Sequence, residues 1–392
     1  MWGRLPQAAM PWSRITGQSR PAAGPQTALS PGGHFCHDAA RMAKASKRET
    51  NAAVLKQAMI RRLPRRLQAR GELNLPAVPA LLEHYVKIFD QLWESIGRKF
   101  TEAEIDEFRK SLLARLEQAF NISTSSKVVV TYQTDPAPKT SLTWNVTALG
   151  ASFEDEYQYW VDTRTPPLFG QHPDAKAVDI ARSLGAPADV TVLDVGAGTG
   201  RNALPLAREG FQTDAVEPAP ALCKILRDTV EAEKLPLGVV EGNILDPALA
   251  LPRPQYRMML LSEVVASHFR TIEQLRQLFE AAARLLEPGG LLVLNAFLSD
   301  GGYKPDDFAR QLSQVLWCSL FTRRDFEVAM DGLPFERQAD EEAAEYERQH
   351  LPEGQFPSTG WYEGWCGGQD LFDLPAERAP MELRWLVYRK MS

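Results

Sequence analysis

Val190-Thr-Val-Leu-Asp194-Val-Gly196-Ala-Gly198-Thr-Gly200 decides the fold. The β-branched run is short enough for a buried strand and rich in valine. It carries an acid near its end, and three glycines at alternate positions then open a helical pattern. Glycines there permit a tight turn and let a ligand reach the backbone with no Cβ in the way. The first amides of the next helix are left free to face that ligand. The arrangement is the first strand–turn–helix of a nucleotide-type site, at the carboxyl edge of an open parallel sheet.

The spacing separates two kinds of nucleotide site. A dinucleotide fingerprint, G-x-G-x-x-G, needs its third glycine at position 201, where this chain has Arg201. The stretch instead resembles the first motif of class I S-adenosylmethionine-dependent methyltransferases, which looks like Asp194-Val-Gly196-Ala-Gly198-Thr-Gly200. Its continuation, Gly200-Arg201-Asn-Ala-Leu-Pro-Leu-Ala207, is similar to the small-molecule branch that includes tellurite-resistance methyltransferases. The resemblance implies an α/β fold: a Rossmann-like seven-stranded sheet with helices on both faces. It also implies S-adenosyl-L-methionine as cofactor and methyl transfer to a small organic substrate. A methyltransferase of proteins, and a protein that binds the cofactor as a sensor or partner subunit without catalysis, are the alternatives.

Downstream residues extend the resemblance. A helix over 201–209 stops at Gly210, and a second strand over 211–216 leads to Glu217 and Pro218. An acid about 20 residues beyond the glycines is placed to accept both hydroxyls of a ribose. After a helix over 219–233, a third strand over 238–241 leads to Gly242-Asn243-Ile244. The family usually has an acid where Asn243 stands, close to the adenine amino group. An asparagine still accepts that hydrogen bond through its carbonyl oxygen.

A fourth strand over 256–261 opens on Ser262-Glu263-Val264. In the family this loop lies beneath the methionine part of the cofactor and faces the substrate. Thr271-Ile-Glu-Gln274 is a capping box for a helix to 286. Pro288-Gly289-Gly290 is expected to end that helix and turn the chain into a fifth strand over 291–297. Strands over 333–338 and 382–388 would form the family's closing antiparallel pair. The resemblance covers about residues 174–300 well and the end of the sheet more loosely.

The flanks are of a different kind. Residues 1–41 are rich in Pro, Gly, Ser and Ala, with no acid before Asp38, and read as a disordered leader or an over-extended start. His34-Phe-Cys36-His37 lies in that stretch without a fourth ligand nearby, so no metal is assigned. Residues 42–150 read as a separate region of three helices, over 52–70, 78–96 and 102–120, followed by a hairpin over 128–133 and 141–149. In the second hairpin strand Leu142, Trp144, Val146 and Ala148 share one face. A cap, a partner surface or a contact between two copies fits this region equally. The methyltransferase domain then runs over 151–392, with an insertion near 340–380 rich in aromatics (Trp361, Tyr362, Trp365).

Composition fits an enzyme that stays in the cytoplasm. The 392 residues, 44% of them hydrophobic, can bury a large core, and no run of about 18 apolar residues suggests a membrane span. A net charge of −6 argues against nucleic acid as partner. The cluster Arg61, Arg62, Arg65, Arg66 reads as a solvated helix end. Four cysteines, far apart, describe neither a metal site nor a disulfide scaffold, which fits a reducing compartment.

The candidate chemistry is then short. A sulfonium methyl is already activated, so the chain chiefly supplies geometry, in line with the breaking bond. A general base matters for a hydroxyl or a protonated amine. His268, after strand four, is the first candidate because an imidazole is partly neutral at cellular pH. Glu263 and Tyr303 follow. Tyr157 and Trp160 sit three apart, on one side of an expected helix, and in the resembled family such a segment folds over the cofactor. The expected cofactor contacts are therefore Asp194, Gly196, Gly198, Gly200, Arg201, Glu217, Pro218, Asn243, Ile244, Ser262, Tyr157 and Trp160.

Overall fold

The computed structural model describes residues 48–135, 141–300, 302–357 and 359–392. Lys56–Ser392 form one compact unit. The leader expected over 1–41, with His34, Cys36 and His37, lies outside the described residues.

The larger unit opens with a three-stranded antiparallel sheet: β1 (Arg70–Pro76), β2 (Lys127–Thr134) and β3 (Leu142–Leu149), in that order. β2 and β3 are the expected hairpin, and the alternation expected in β3 is present. β1 is a correction, because a single helix was expected over 52–70. The helix stops at Ile60, and a short 3-10 turn with Pro64 at its start intervenes. Arg70-Gly-Glu-Leu-Asn-Leu-Pro76 then alternates exposed and inward positions, with Leu73 and Leu75 facing inward. Helices Leu82–Ser95 and Glu102–Ile122 cover this sheet. Between them Phe89, Trp93, Phe108 and Trp144 stack edge-on or tilted, with ring centroids 4.8–5.5 Å apart. The capping box at Thr101 forms as expected.

The second sheet carries the site. Its strands are β4 (Thr191–Val195), β5 (Gln212–Glu217), β6 (Gly238–Glu241), β7 (Tyr256–Leu261), β8 (Leu286–Ser299), β9 (Leu320–Phe321), β10 (Phe335–Glu342) and β11 (Met381–Lys390). Their order is β10-β11-β8-β7-β4-β5-β6, with the two-residue β9 added beside β8. β6, β5, β4, β7 and β8 run parallel, and β11 and β10 close the sheet antiparallel. From β4 the chain winds outward to β5 and β6, then returns to β7 on the other side. The crevice between β4 and β7 is therefore a topological switch point, where open α/β sheets bind ligands. β4 is buried at four of its five positions, as a strand covered by helices on both faces must be.

The Pro288-Gly289-Gly290 expectation is corrected. The helix Ile272–Leu285 ends before it, and β8 starts at Leu286. The three residues lie inside the strand as a bulge. β7–β8 pairing jumps from Tyr256 opposite Leu286 to Met258 opposite Leu291. A Cβ at Gly290 would stand 2.9 Å from the carbonyl oxygen of Glu287, so only glycine fits there. No helix among the described residues is long and apolar enough to cross a membrane.

Candidate functional site

The glycine turn leaves β4 with Gly196 at φ +68°. The amides of Gly196 and Ala197 both donate to the carbonyl oxygen of Val216 on β5, at 2.7 and 3.2 Å. A Cβ at Gly196 would fall 2.4 Å from Val264 Cγ2. The turn thus passes against the loop after β7 with no room for a side chain, and its backbone faces the crevice.

Glu217 ends β5 and is 4% exposed. One carboxylate oxygen accepts the Gly198 amide at 2.8 Å, and the other accepts the Ala219 amide at 2.8 Å. Burial still raises its pKa above the usual carboxylate range, because two neutral donors replace water only in part. Asp194, on β4, is 2% exposed, and one of its oxygens has no hydrogen-bond partner. Burial pushes its pKa up to about 7, against the pull of Arg201. Both acids and the glycine turn line one cavity of about 690 Å³, in the range of small-molecule sites.

Arg201, expected to contact the cofactor, lines the cavity, and its guanidinium is held by the chain's own acids. Its guanidinium bridges Asp174 at 2.5 Å and Glu263 at 2.7 Å, and reaches Ser262 Oγ at 3.1 Å. Ser262 and Asn202 also donate to Asp174, at 2.6 and 2.8 Å. The Glu263 amide donates to Asn295 Oδ1 on β8 at 2.6 Å. These bonds tie the turn after β4 to the loop after β7. Paired twice and nearly buried, Arg201 serves as a clamp. Glu263 holds a left-handed backbone, φ +63°, and burial lifts its carboxyl to about 6. Sequence reasoning missed Asp174, Asn202 and Asn295. No motif marks them, although Asn202 directly follows the clamp arginine.

On the far side of the cavity the helix Phe153–Thr163 presents Tyr157 and Trp160. Tyr157 Oη lies 2.9 Å from His268 Nε2. Desolvation pulls the His268 pKa down to about 4, so the ring is neutral at cellular pH. Trp317 stands edge-on to His268 at 5.2 Å and tilted to Trp160 at 5.7 Å. Trp317 is also left-handed, at φ +57°, and the Trp365 indole donates to its carbonyl oxygen at 2.9 Å. Of three non-glycine residues with positive φ among the described residues, two (Glu263 and Trp317) thus line this cavity, where backbone strain commonly gathers. The 340–380 insertion contributes Trp361, Trp365 and Asp370 to the wall.

Pro218, Asn243, Ile244 and Ser262 line the cavity as well. Ile244 is buried, whereas Asn243 is exposed and its carbonyl oxygen already accepts the Leu245 amide at 2.9 Å. Tyr303 is a correction. It is not among the lining residues and instead packs edge-on against Phe372, 6.0 Å away. The loop after β8 turns it toward the insertion, away from the crevice. Another surprise is the contribution of Ile122, Ser123 and Thr124, which follow or end the helix Glu102–Ile122. The N-terminal region therefore walls the cavity, which no sequence signal announced.

Residues 192–290 match a family model described as a methyltransferase domain. An arginine N(omega)-methyltransferase from Streptomyces achromogenes subsp. streptozoticus is 30% identical over 172 residues, covering 40% of this chain and 47% of the relative. The chain thus spans about half the length of that curated relative. Among solved structures, geranyl diphosphate C-methyltransferase from Streptomyces coelicolor A3(2) is 15% identical, with 62% of this chain and 99% of that one covered and a TM-score of 0.43. A Galdieria sulphuraria protein provisionally named a sarcosine dimethylglycine methyltransferase is 14% identical, with 61% and 99% covered and a TM-score of 0.45.

Proposed function

We propose that the chain, whose residues 192–290 match a methyltransferase domain, is a class I S-adenosylmethionine-dependent methyltransferase that moves the methyl group of that cofactor, in line, to a nucleophilic atom of a small organic molecule. The observation that carries this reading is the placement of Glu217. Its carboxylate ends β5 at the switch point, in one cavity with the glycine turn and with the aromatic wall of Tyr157, Trp160 and Trp317.

The residues fit the cofactor on two counts: the turn at Gly196 has no space for a Cβ, and a buried oxygen of Asp194 lacks a partner. When bound, S-adenosylmethionine supplies a methyl group already activated on a positive sulfur. Glu217 would accept the ribose hydroxyls with the lone pairs its two amide donors leave free. The backbone at Gly196 and Gly198, with Ser262 and Glu263, would hold the amino-acid tail. Ile244 would pack the base, and Asn243 and Pro218 would border it. The Arg201 clamp keeps the two loops of the crevice in register, which positions the acceptor at near-attack distance. The aromatic wall excludes water, and a drier site strengthens nearby dipoles.

His268 is neutral and bonded to Tyr157, so it can receive a proton directly or through the phenol. Its low basicity suits it better to holding a hydrogen bond than to storing a proton. A pH profile of the rate should therefore show no limb near pH 6.5. A limb there that vanishes in His268→Gln would show instead that the ring titrates in the reaction.

The same reading assigns residues 42–150 to shaping the acceptor end, and 340–380 to substrate choice. It places the protein in the cytoplasm, which buried free thiols at Cys223, Cys318 and Cys366 support. The negative net charge supports a small acceptor over nucleic acid. A homodimer contact through the N-terminal region stays part of the proposal, to be tested by sedimentation. Calorimetry with S-adenosylhomocysteine and NAD side by side tests the cofactor: binding of the first and none of the second is expected. Incubation with methyl-labelled cofactor and a cell extract tests transfer. Homocysteine-nucleoside binding without label in any fraction would make the protein a sensor and sink the enzyme reading.

A further inference from the structure

Arg270 lines the cavity two residues beyond His268, and its surroundings are unlike those of Arg201. Its amide donates to Gln274 Oε1 at 2.7 Å. Its Nε donates to Gln314 Oε1 at 3.0 Å, and Gln314 Nε2 donates back to the Arg270 carbonyl oxygen at 3.0 Å. Gln314 is itself 8% exposed, so this reciprocal pair is a fixed mount. The guanidinium lies 4.1 Å from the ring centroid of Phe120, on the N-terminal helix. The group is thus held on two sides.

Among the described residues its two terminal amino groups have no hydrogen-bond partner. Among the described residues no carboxylate reaches Arg270, and burial alone lowers its pKa, with no acid acting on it. The cavity's other arginines are accounted for: Arg201 has two acids, and Arg164 stacks on Trp160 at 3.6 Å. A half-buried guanidinium without a counter-charge is costly. The same cavity wall brings two hydroxyls, Ser123 and Thr124. Ser123 Oγ accepts the Ser125 amide at 3.0 Å and keeps its own proton to donate.

The geometry points to an anchor for the methyl acceptor: the free fork of Arg270, in one cavity with the Ser123 and Thr124 hydroxyls, binds a carboxylate that the acceptor carries. The inference rests on the methyl-transfer reading and deepens it to a substrate class, small carboxylic acids. A planar fork of N–H donors matches a planar carboxylate through two parallel bonds. The N-terminal region gains a task by the same argument. Phe120 steadies the fork and residues 122–124 complete the seat, so the anchor is built jointly with a part of the chain outside the methyltransferase sheet.

The experiment uses the full chain, methyl-labelled S-adenosylmethionine and a deproteinised small-molecule extract of the source organism in three forms. One form is untouched, one has its carboxylates converted to amides with a carbodiimide and ammonia, and one is treated with phosphatase. Label is expected in the untouched and phosphatase-treated extracts, with at least a tenfold loss in the amidated one. Arg270→Met is expected to lose labelling of the untouched extract by a similar factor while binding S-adenosylhomocysteine within twofold of the parent. Equal labelling of the amidated extract, or full labelling by Arg270→Met, would overturn the anchor. Loss only after phosphatase would overturn it in favour of a phosphate. No label in the untouched extract would remove the methyl-transfer reading, and the anchor with it. The amidation arm uses the parent protein, so it decides even if Arg270→Met folds poorly.

Discussion

At the scale of single residues, the two acids of the crevice make opposite demands. Glu217 is satisfied by two amides and still offers lone pairs. Glu217→Ala should weaken S-adenosylhomocysteine binding by about 1–3 kcal/mol, the worth of hydrogen bonds to a charged group. Calorimetry checks it, and unchanged affinity would mean the ribose is held elsewhere. Asp194 is held near pH 7 against an ordinary value of 3.8. A raised carboxyl means that the folded chain keeps this proton longer than the unfolded one. Its stabilising contribution is full below about pH 4 and is lost as pH rises toward 7. Asp194→Asn cannot ionise, so its melting temperature should fall less than the parent's between pH 5 and 8. Parallel curves would show that the carboxyl ionises normally in the fold. Glu217, Asp194 and the glycines could be read in the sequence because strand ends fix their spacing. The Arg201 clamp could not, because Asp174 and Asn295 reach it only through tertiary packing. His268 was visible as a loop residue, yet its burial against Tyr157 was not, since nothing local dictates it.

At the scale of elements, the parallel strands β4 to β8 were legible from valine-rich runs, stop signals and the capping box at Thr271. Two misreadings share one cause: local rules were applied where pairing decides. β1 looked like the end of a helix because its apolar content is low, and only its partner β2 makes it a strand. Pro288-Gly289-Gly290 looked like a stop, but β7 pairs β8 on both sides of the bulge and β11 pairs it beyond. The turn after β4 gives a sharp test. At Gly200, φ is +93° and a Cβ would stand 2.6 Å from Leu226 and 2.7 Å from Leu204. Gly200→Ala adds overpacking to backbone strain and should cost about 2–5 kcal/mol. At Gly302, φ is +80° with nothing within 4 Å, so Gly302→Ala should cost only about 1–2 kcal/mol. Denaturant titration of both variants checks this, and equal losses would place the cost in the backbone alone.

At the scale of the molecule, residues 56–392 behave as one compact unit, with a wall of the cavity drawn from the N-terminal sheet region. A ligand that fills the cavity should stabilise all of it together. S-adenosylhomocysteine at 100 times its dissociation constant adds about 2.7 kcal/mol. One melting transition should therefore move up by several degrees. Two transitions, of which only one moves, would show that the N-terminal sheet melts by itself. The cavity wall is divided between the matched segment and the rest of the chain. The wall around the glycine turn comes from β5, β7 and all of β4 but Thr191, within the matched segment 192–290. The opposite wall mixes the two: Ile122–Thr124, Tyr157, Trp160, Trp317 and Trp361 lie outside that segment, while His268 and Arg270 lie inside it. A change in the outer pieces would therefore reshape one wall of the cavity while leaving the glycine turn and Glu217 untouched.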